Sequence, residues 1–169
     1  MEAFTEKIVT KEKTGKDQMF KWGIIISGVL LSLVLLSIPG VQQFAPFLVA
    51  GIGFGAYYLM KSRNIEFEYT YTNGELDIDI IIARRKRKRA FSGSCKDFEI
   101  MAKYDIDKHE QYVKGISKTI VTVSSLSSPD IYFATGNNKG QKVMILFEPG
   151  EKMLGLMKGF IPKKVFIGN

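Results

Sequence analysis

The chain has 169 residues, with 24 Lys and Arg against 17 Asp and Glu, a net charge of +7. One cysteine, Cys95, excludes an intramolecular disulfide and suits a reducing cytosol. With one histidine, His109, the chain has no spacing of Cys, His and carboxylate residues of the kind that holds zinc, and no nucleophile motif surrounds either residue. The reading is therefore a non-enzymatic chain with no catalytic residue, no cofactor and no metal.

Residues 1–18 read as a cytosolic N-terminal tail, with Lys7, Lys11, Lys13 and Lys16. Two apolar runs follow, Gly23–Ile38 and Phe44–Met60, and neither contains a charged side chain. A bilayer core of about 30 Å takes about 17–25 apolar residues as a helix. Met19, Phe20 and Trp22 extend the first run, and Lys21 can reach the headgroups. Trp22 at one end, with Tyr57 and Tyr58 at the other, fits an interfacial aromatic belt. A chain this short cannot bury two helices that are apolar all round. The first run starts late and the second follows at once, which argues against a secretory signal peptide. Residues 19–62 are thus predicted to be a two-helix transmembrane hairpin, turning at Pro39-Gly40 within 39–43.

Charge bias sets the orientation. Lys and Arg precede the first run and follow the second, at Lys61, Arg63 and Arg84–Arg89, while 39–43 carries none. The basic side belongs in the cytoplasm. The expected location is the cell membrane, as a multi-pass protein with both termini cytoplasmic. No ionisable residue lies in either span, which argues against ion or proton transport by the hairpin alone.

Gly51 and Gly55 form a GxxxG spacing, and Ser27, Gly28 and Ser32 are small residues of the first run. Small residues let helix backbones approach closely in lipid. They serve either packing of the two helices on each other, or homo-oligomerisation, or docking on a membrane protein partner.

Residues 64–169 read as a cytosolic domain. Ile65, Phe67, Tyr69 and Tyr71 alternate with polar residues, and Asn73-Gly74 is a hairpin signal. Leu76, Ile78, Ile80 and Ile82 continue the alternation. Further strands are predicted at 85–91, at 97–103 with Phe98, Ile100 and Ala102 on one side, and at 119–124, 130–135 and 142–147. Residues 105–118 read as loop, and Asn137, Asn138, Lys139 and Gly140 as the last hairpin turn. Pro149 opens a helix whose apolar stripe is Met153, Leu154, Met157, Phe160 and Ile161. Its expected role is to cover an open end of the sheet.

Seven antiparallel strands and a C-terminal helix are the element order of a pleckstrin-homology (PH)-like domain. Tyr69–Arg89 resembles the opening hairpin and basic third strand of bacterial PH-like domains, and Ile145–Val165 their last strand and capping helix. The whole chain resembles an uncharacterised family of small bacterial membrane proteins, a domain of unknown function with a two-helix N-terminal hairpin. The resemblance implies an α-helical transmembrane hairpin followed by an all-β PH-like domain, and it brings no catalytic residues.

Arg84, Arg85, Lys86, Arg87, Lys88 and Arg89 are the one chemically distinctive run. Residues 65–169 carry 17 basic and 13 acidic residues, so without the run their net charge falls from +4 to −2. The run can meet anionic lipid headgroups, contact a protein partner, or pair internally with Glu66, Glu68, Asp77 and Asp79 across the strands while protecting a sheet edge. No aromatic residue interleaves with it, which argues against nucleic acid. Two functions stay open. One is a membrane-anchored binding or scaffolding module at the cytosolic face, with a peptide groove beside the C-terminal helix. The other is an accessory subunit of a larger complex, docking through Gly51 and Gly55.

Overall fold

The structure is a computed structural model that describes residues 3–105, 110–138 and 140–166. It begins with a strand, β1 (Phe4–Thr10), where the sequence predicts a tail. Thr5 and Val9 point inward and are buried, while Phe4, Glu6 and Ile8 are exposed. Each face of this segment mixes polar and apolar residues, so no period of two announces it. Its partner makes it a strand: it pairs antiparallel with β2 (Ile65–Thr72), from Phe4 opposite Thr72 to Thr10 opposite Glu66.

The helix pair is therefore an insertion between two neighbouring strands. The chain divides into two units, Glu12–Ile65 and the remainder, which joins the N-terminal residues through Lys11 to Glu66 and onward. Tail 1–18 and hairpin 19–62 are redrawn accordingly. Helix α1 (Gly15–Leu36) starts before residue 19, because Thr14 caps it, its backbone N–H donating to Asp17 Oδ2 at 3.1 Å. Gly40 turns the chain at φ +86°, and one 3-10 turn at Gln42–Phe44 leads into α2 (Ala45–Lys61). No residue of either helix is buried. Gly15–Leu36 and Gln42–Lys61 are long and apolar enough to cross a membrane. At 1.5 Å per residue, α1 is about 33 Å long.

The remaining elements are β3 (Glu75–Ile82), β4 (Lys86–Ser94), β5 (Phe98–Lys103), α3 (Glu110–Val113), β6 (Lys118–Val121), β7 (Tyr132–Asn138), β8 (Gln141–Phe147), α4 (Gly150–Phe160) and β9 (Val165–Phe166). They build two sheets, ordered β1-β2-β3-β4 and β6-β8-β7-β5-β9. Nine strands are present among the described residues, against about seven expected, and two are not antiparallel. β6 runs parallel to β8, and β9 parallel to β5. Both enter their sheet after a long connection or a helix, and such crossovers permit parallel pairing where a hairpin does not. The expected loop 105–118 contains the short α3. His109 and Lys139 lie outside the described residues.

Asn73 and Gly74, at φ +49° and +96°, form the expected tight turn between β2 and β3. The β3–β4 turn has the same handedness at Ala83 and Arg84, φ +54° and +56°, closed by the Arg85 N–H on the Ile82 carbonyl at 3.0 Å. Neither residue favours that region. Ala83→Asn keeps Arg84 and relaxes the turn, so it is expected to raise stability by roughly 0.5–1 kcal/mol, read as a shift in the urea midpoint. An unchanged or lower midpoint would show that the turn holds no strain.

The main core lies between the sheets. Tyr69 meets Phe147 edge-on at 5.9 Å, and Phe91 packs on Phe98 at 6.2 Å. The outer face of the second sheet carries another cluster, with Ile100, Ala102, Phe133, Met144 and Leu146 under Tyr112 and Val113. Phe98 thus does not share a side with Ile100 and Ala102. A register shift between Phe98 and Ile100 turns its ring toward β4.

Helix α4 buries Met153, Leu154 and Met157, and lies against β1. Pro149 is its N-cap rather than its first helical residue. At the far end the Phe160 ring covers the β2–β3 turn, where a Cβ on Gly74 would come within 2.1 Å of it. Gly74 suits the turn by its conformation, and a side chain there would have to displace the Phe160 ring.

Candidate functional site

Strand pairing sorts the basic run by face. On β3 and β4, Asp79 lies opposite Arg89 and Ile81 opposite Arg87, whereas Ile80 lies opposite Lys88 and Ile82 opposite Lys86. Directly opposed residues share a face. Arg87 and Arg89 therefore fall on the acidic outer face of the first sheet, and Lys86 and Lys88 on the other. A register shift between Ile78 and Asp79 keeps Phe91 opposite Ile78 in the core while bringing Arg89 onto Asp79.

The outer face is an ion-pair network. Arg87 contacts Glu68, and its Nη1 lies 3.4 Å from Asp79 Oδ2. Arg89 reaches Asp77 at 2.7 Å and also Asp79. From the turn, Arg84 Nε donates to Glu66 Oε1 at 2.9 Å. Glu68 and Asp79 are buried, while the Arg87 side chain is 58% exposed. Burial pushes the Glu68 carboxyl above its ordinary value, the neighbouring Glu6 of β1 adds to this, and Arg87 opposes it. Asp79, with Asp77, raises the Arg89 guanidinium.

The six residues are thus not one cationic patch. Arg84, Arg87 and Arg89 are held by carboxylates, and arginine suits this because its fork meets two acceptors at once. Lys86 and Lys88 are exposed and make no ion pair among the described residues. β4 is an edge strand, so its charged residues guard against pairing with another chain. Glu6 belongs to this network and escaped the sequence reading, because nothing in 1–18 marks a strand.

Gly51 and Gly55 do not make the contact between the two helices. A Cβ at either would meet nothing within 4 Å, whereas one at Gly28 would sit 3.4 Å from Ile52 Cγ2. The close approach runs through Gly28, beside which Ser32 Oγ folds back on the Gly28 carbonyl at 2.8 Å. A second feature of this unit was not predicted: a cleft of about 510 Å³ at the open end of the pair, lined by basic and aromatic residues. Its signal in the sequence was the aromatic belt flanked by lysines.

Cys95 is fully buried and its thiol is pushed up to about 12, chiefly by burial, which makes it a poor nucleophile. Among the described residues no three His, Cys, Asp or Glu side chains are placed to hold a metal ion. Beside α4, the chain's own Val165-Phe166 pairs with β5 and forms the edge of the second sheet.

These features, two sheets packed face to face, a C-terminal helix on their core and a charged β3–β4 turn, coincide with a family match over residues 1–167 to "Bacterial PH-like domain (DUF6106)". The chain belongs to this family. The match includes β1 and the helix pair, so in DUF6106 the insertion lies within the family's own span. No curated protein and no solved structure matches the chain. A PH-like domain of DUF6106 is consistent with a binding or scaffolding module, and such folds host their functions in sites rather than in the fold itself.

Proposed function

We propose that this protein is a membrane-anchored, non-enzymatic PH-like binding module at the cytosolic face of a bacterial inner membrane. The observation that carries this reading is the pairing of β1 with β2 around two exposed apolar helices. Thr10 stands opposite Glu66, so the chain leaves the β unit and returns to it at adjacent positions. A two-helix insertion that crosses a bilayer twice meets that condition, and a single crossing does not. The Lys and Arg bias of both flanks supports the cytosolic side. Lys86 and Lys88, unpaired and adjacent on one face, offer weak attraction to anionic surfaces, about 1 kcal/mol each at most.

The test is fractionation with alkaline carbonate, followed by labelling of cysteines introduced one at a time, beside the buried Cys95, with an impermeant maleimide on intact cells. Gln42→Cys is expected to label from outside, and Gln141→Cys only after lysis. A protein washed off by carbonate, or the reverse labelling, would sink the reading.

A second reading is favoured by the open space around Gly51 and Gly55: an accessory subunit that docks through α2. Gly51→Leu with Gly55→Leu should then release a co-purifying membrane protein or disperse an oligomer while the β unit stays folded. Retention of every partner would remove this alternative.

A further inference from the structure

The helix pair carries a cleft at the end where α1 begins and α2 finishes. Lys13, Lys21, Lys61 and Arg63 line it, against one carboxylate, Asp17, whose Oδ2 accepts the capping hydrogen bonds of Thr14. Trp22 and Tyr57 complete the wall. Two of the cations are positioned by rings: the Arg63 guanidinium lies 4.4 Å over Phe20, and Lys61 Nζ is 3.2 Å from the Tyr57 hydroxyl. At about 510 Å³ the cleft has the volume of a small-molecule site.

We infer that this cleft binds the headgroup of an anionic phospholipid from the surrounding leaflet; the inference rests on the reading of α1 and α2 as membrane-spanning. Three observations favour it. The wall carries a surplus of three positive charges, the complement of a phosphate with a further anionic or polyol group. Basic pockets at the cytoplasmic end of transmembrane helices are suited to such headgroups. The aromatic residues are of the type that settles at glycerol depth. Beyond the cleft the same helices expose Ile26 and Phe54, at 56% and 72%, so acyl chains have an apolar wall to follow. A free phosphate would use the cations and leave that wall idle. The site uses none of Arg84–Arg89, in which Arg84, Arg87 and Arg89 are already held by carboxylates.

Trp22 is the single tryptophan of the chain and lines the cleft, so its emission reports the occupant directly. The full chain is reconstituted in phosphatidylcholine vesicles containing a fixed fraction of either brominated phosphatidylglycerol or brominated phosphatidylcholine, and quenching of Trp22 is compared. Stronger quenching by the anionic lipid is expected, with a relative affinity of about fivefold for each engaged cation. Lys21→Gln with Arg63→Gln should lower the ratio by about 25-fold, and Lys86→Gln with Lys88→Gln should leave it unchanged.

Equal quenching by both lipids in the wild-type chain overturns the inference without recourse to any variant. So does a preference that survives loss of Lys21 and Arg63 and disappears with Lys86 and Lys88, or relief of quenching by millimolar inorganic phosphate. Quenching by neither lipid would mean that the helix pair is not in the bilayer, a failure of the membrane reading that the carbonate wash reports separately.

Discussion

A chain cut to residues 64–169 is expected to be less stable, by roughly 3–5 kcal/mol, than one in which residues 12–65 are replaced by a short Gly-Ser linker. The cut chain lacks β1. It therefore loses the buried Thr5 and Val9, and it uncovers Phe67, Tyr69 and Tyr71, which lie opposite Val9, Lys7 and Thr5. It also leaves the β2 edge unpaired, an invitation to aggregation. Even the β2–β3 turn loosens, because Asn73 exchanges two hydrogen bonds with Ala3, each 2.9 Å long. The linker chain keeps all of these contacts and needs only to join Lys11 to Glu66, whose neighbours already stand side by side. Denaturant midpoints of the two chains measure the difference. Equal midpoints would mean that β1 is a passive strand and that the sheet is complete without it.

Replacing Arg87 with Ala is expected to destabilise the domain by about 2 kcal/mol near pH 8. Removing one partner of a buried ion pair costs about 3–5 kcal/mol when both are buried. Here Arg87 is 58% exposed and the carboxylates only 8%, so solvent screens part of the loss. Asp79 retains Arg89, whereas Glu68 is left with Glu6 as its charged neighbour. The pH dependence has a definite sign. A carboxyl whose folded pKa is raised costs stability once pH exceeds its unfolded value, and the cost disappears as pH falls below that value. Losing Arg87 raises the Glu68 carboxyl further, so the gap between variant and wild type should widen with rising pH and close below about pH 4.5. Adding Glu68→Gln to the Arg87→Ala chain should recover most of the loss at pH 8. A gap independent of pH, or a double variant no better than the single, would show that Arg87 acts by packing alone.

The fold was largely legible where pattern is local. The alternation of Ile65–Ile82, the Asn73-Gly74 turn and the apolar stripe of Met153, Leu154 and Met157 each follow from side chains a few residues apart. The two apolar helices were legible for the same reason, since each contains an uncharged run of adjacent residues. Beyond these, the positions of β4, β5 and β8 came within a few residues, and so did the helix ends, apart from the earlier start that Thr14 gives α1.

What escaped the sequence depends on partners far along the chain. Phe4–Thr10 has no strand signature of its own and becomes one because β2, more than fifty residues later, offers it an edge. For the same reason Glu6 was not seen as a neighbour of Glu68. The parallel pairings of β6 and β9 come from connections whose course no local pattern encodes. Composition determined that Arg84–Arg89 would dominate the charge of the domain. Only register, fixed by the shift at Ile78 and Asp79, decided that Arg87 and Arg89 meet carboxylates while Lys86 and Lys88 stay exposed. In a strand, one residue of slip exchanges the two faces. The kind of each element was thus written in its own residues, and its partner and its face were settled by contacts that exist only once the chain has folded.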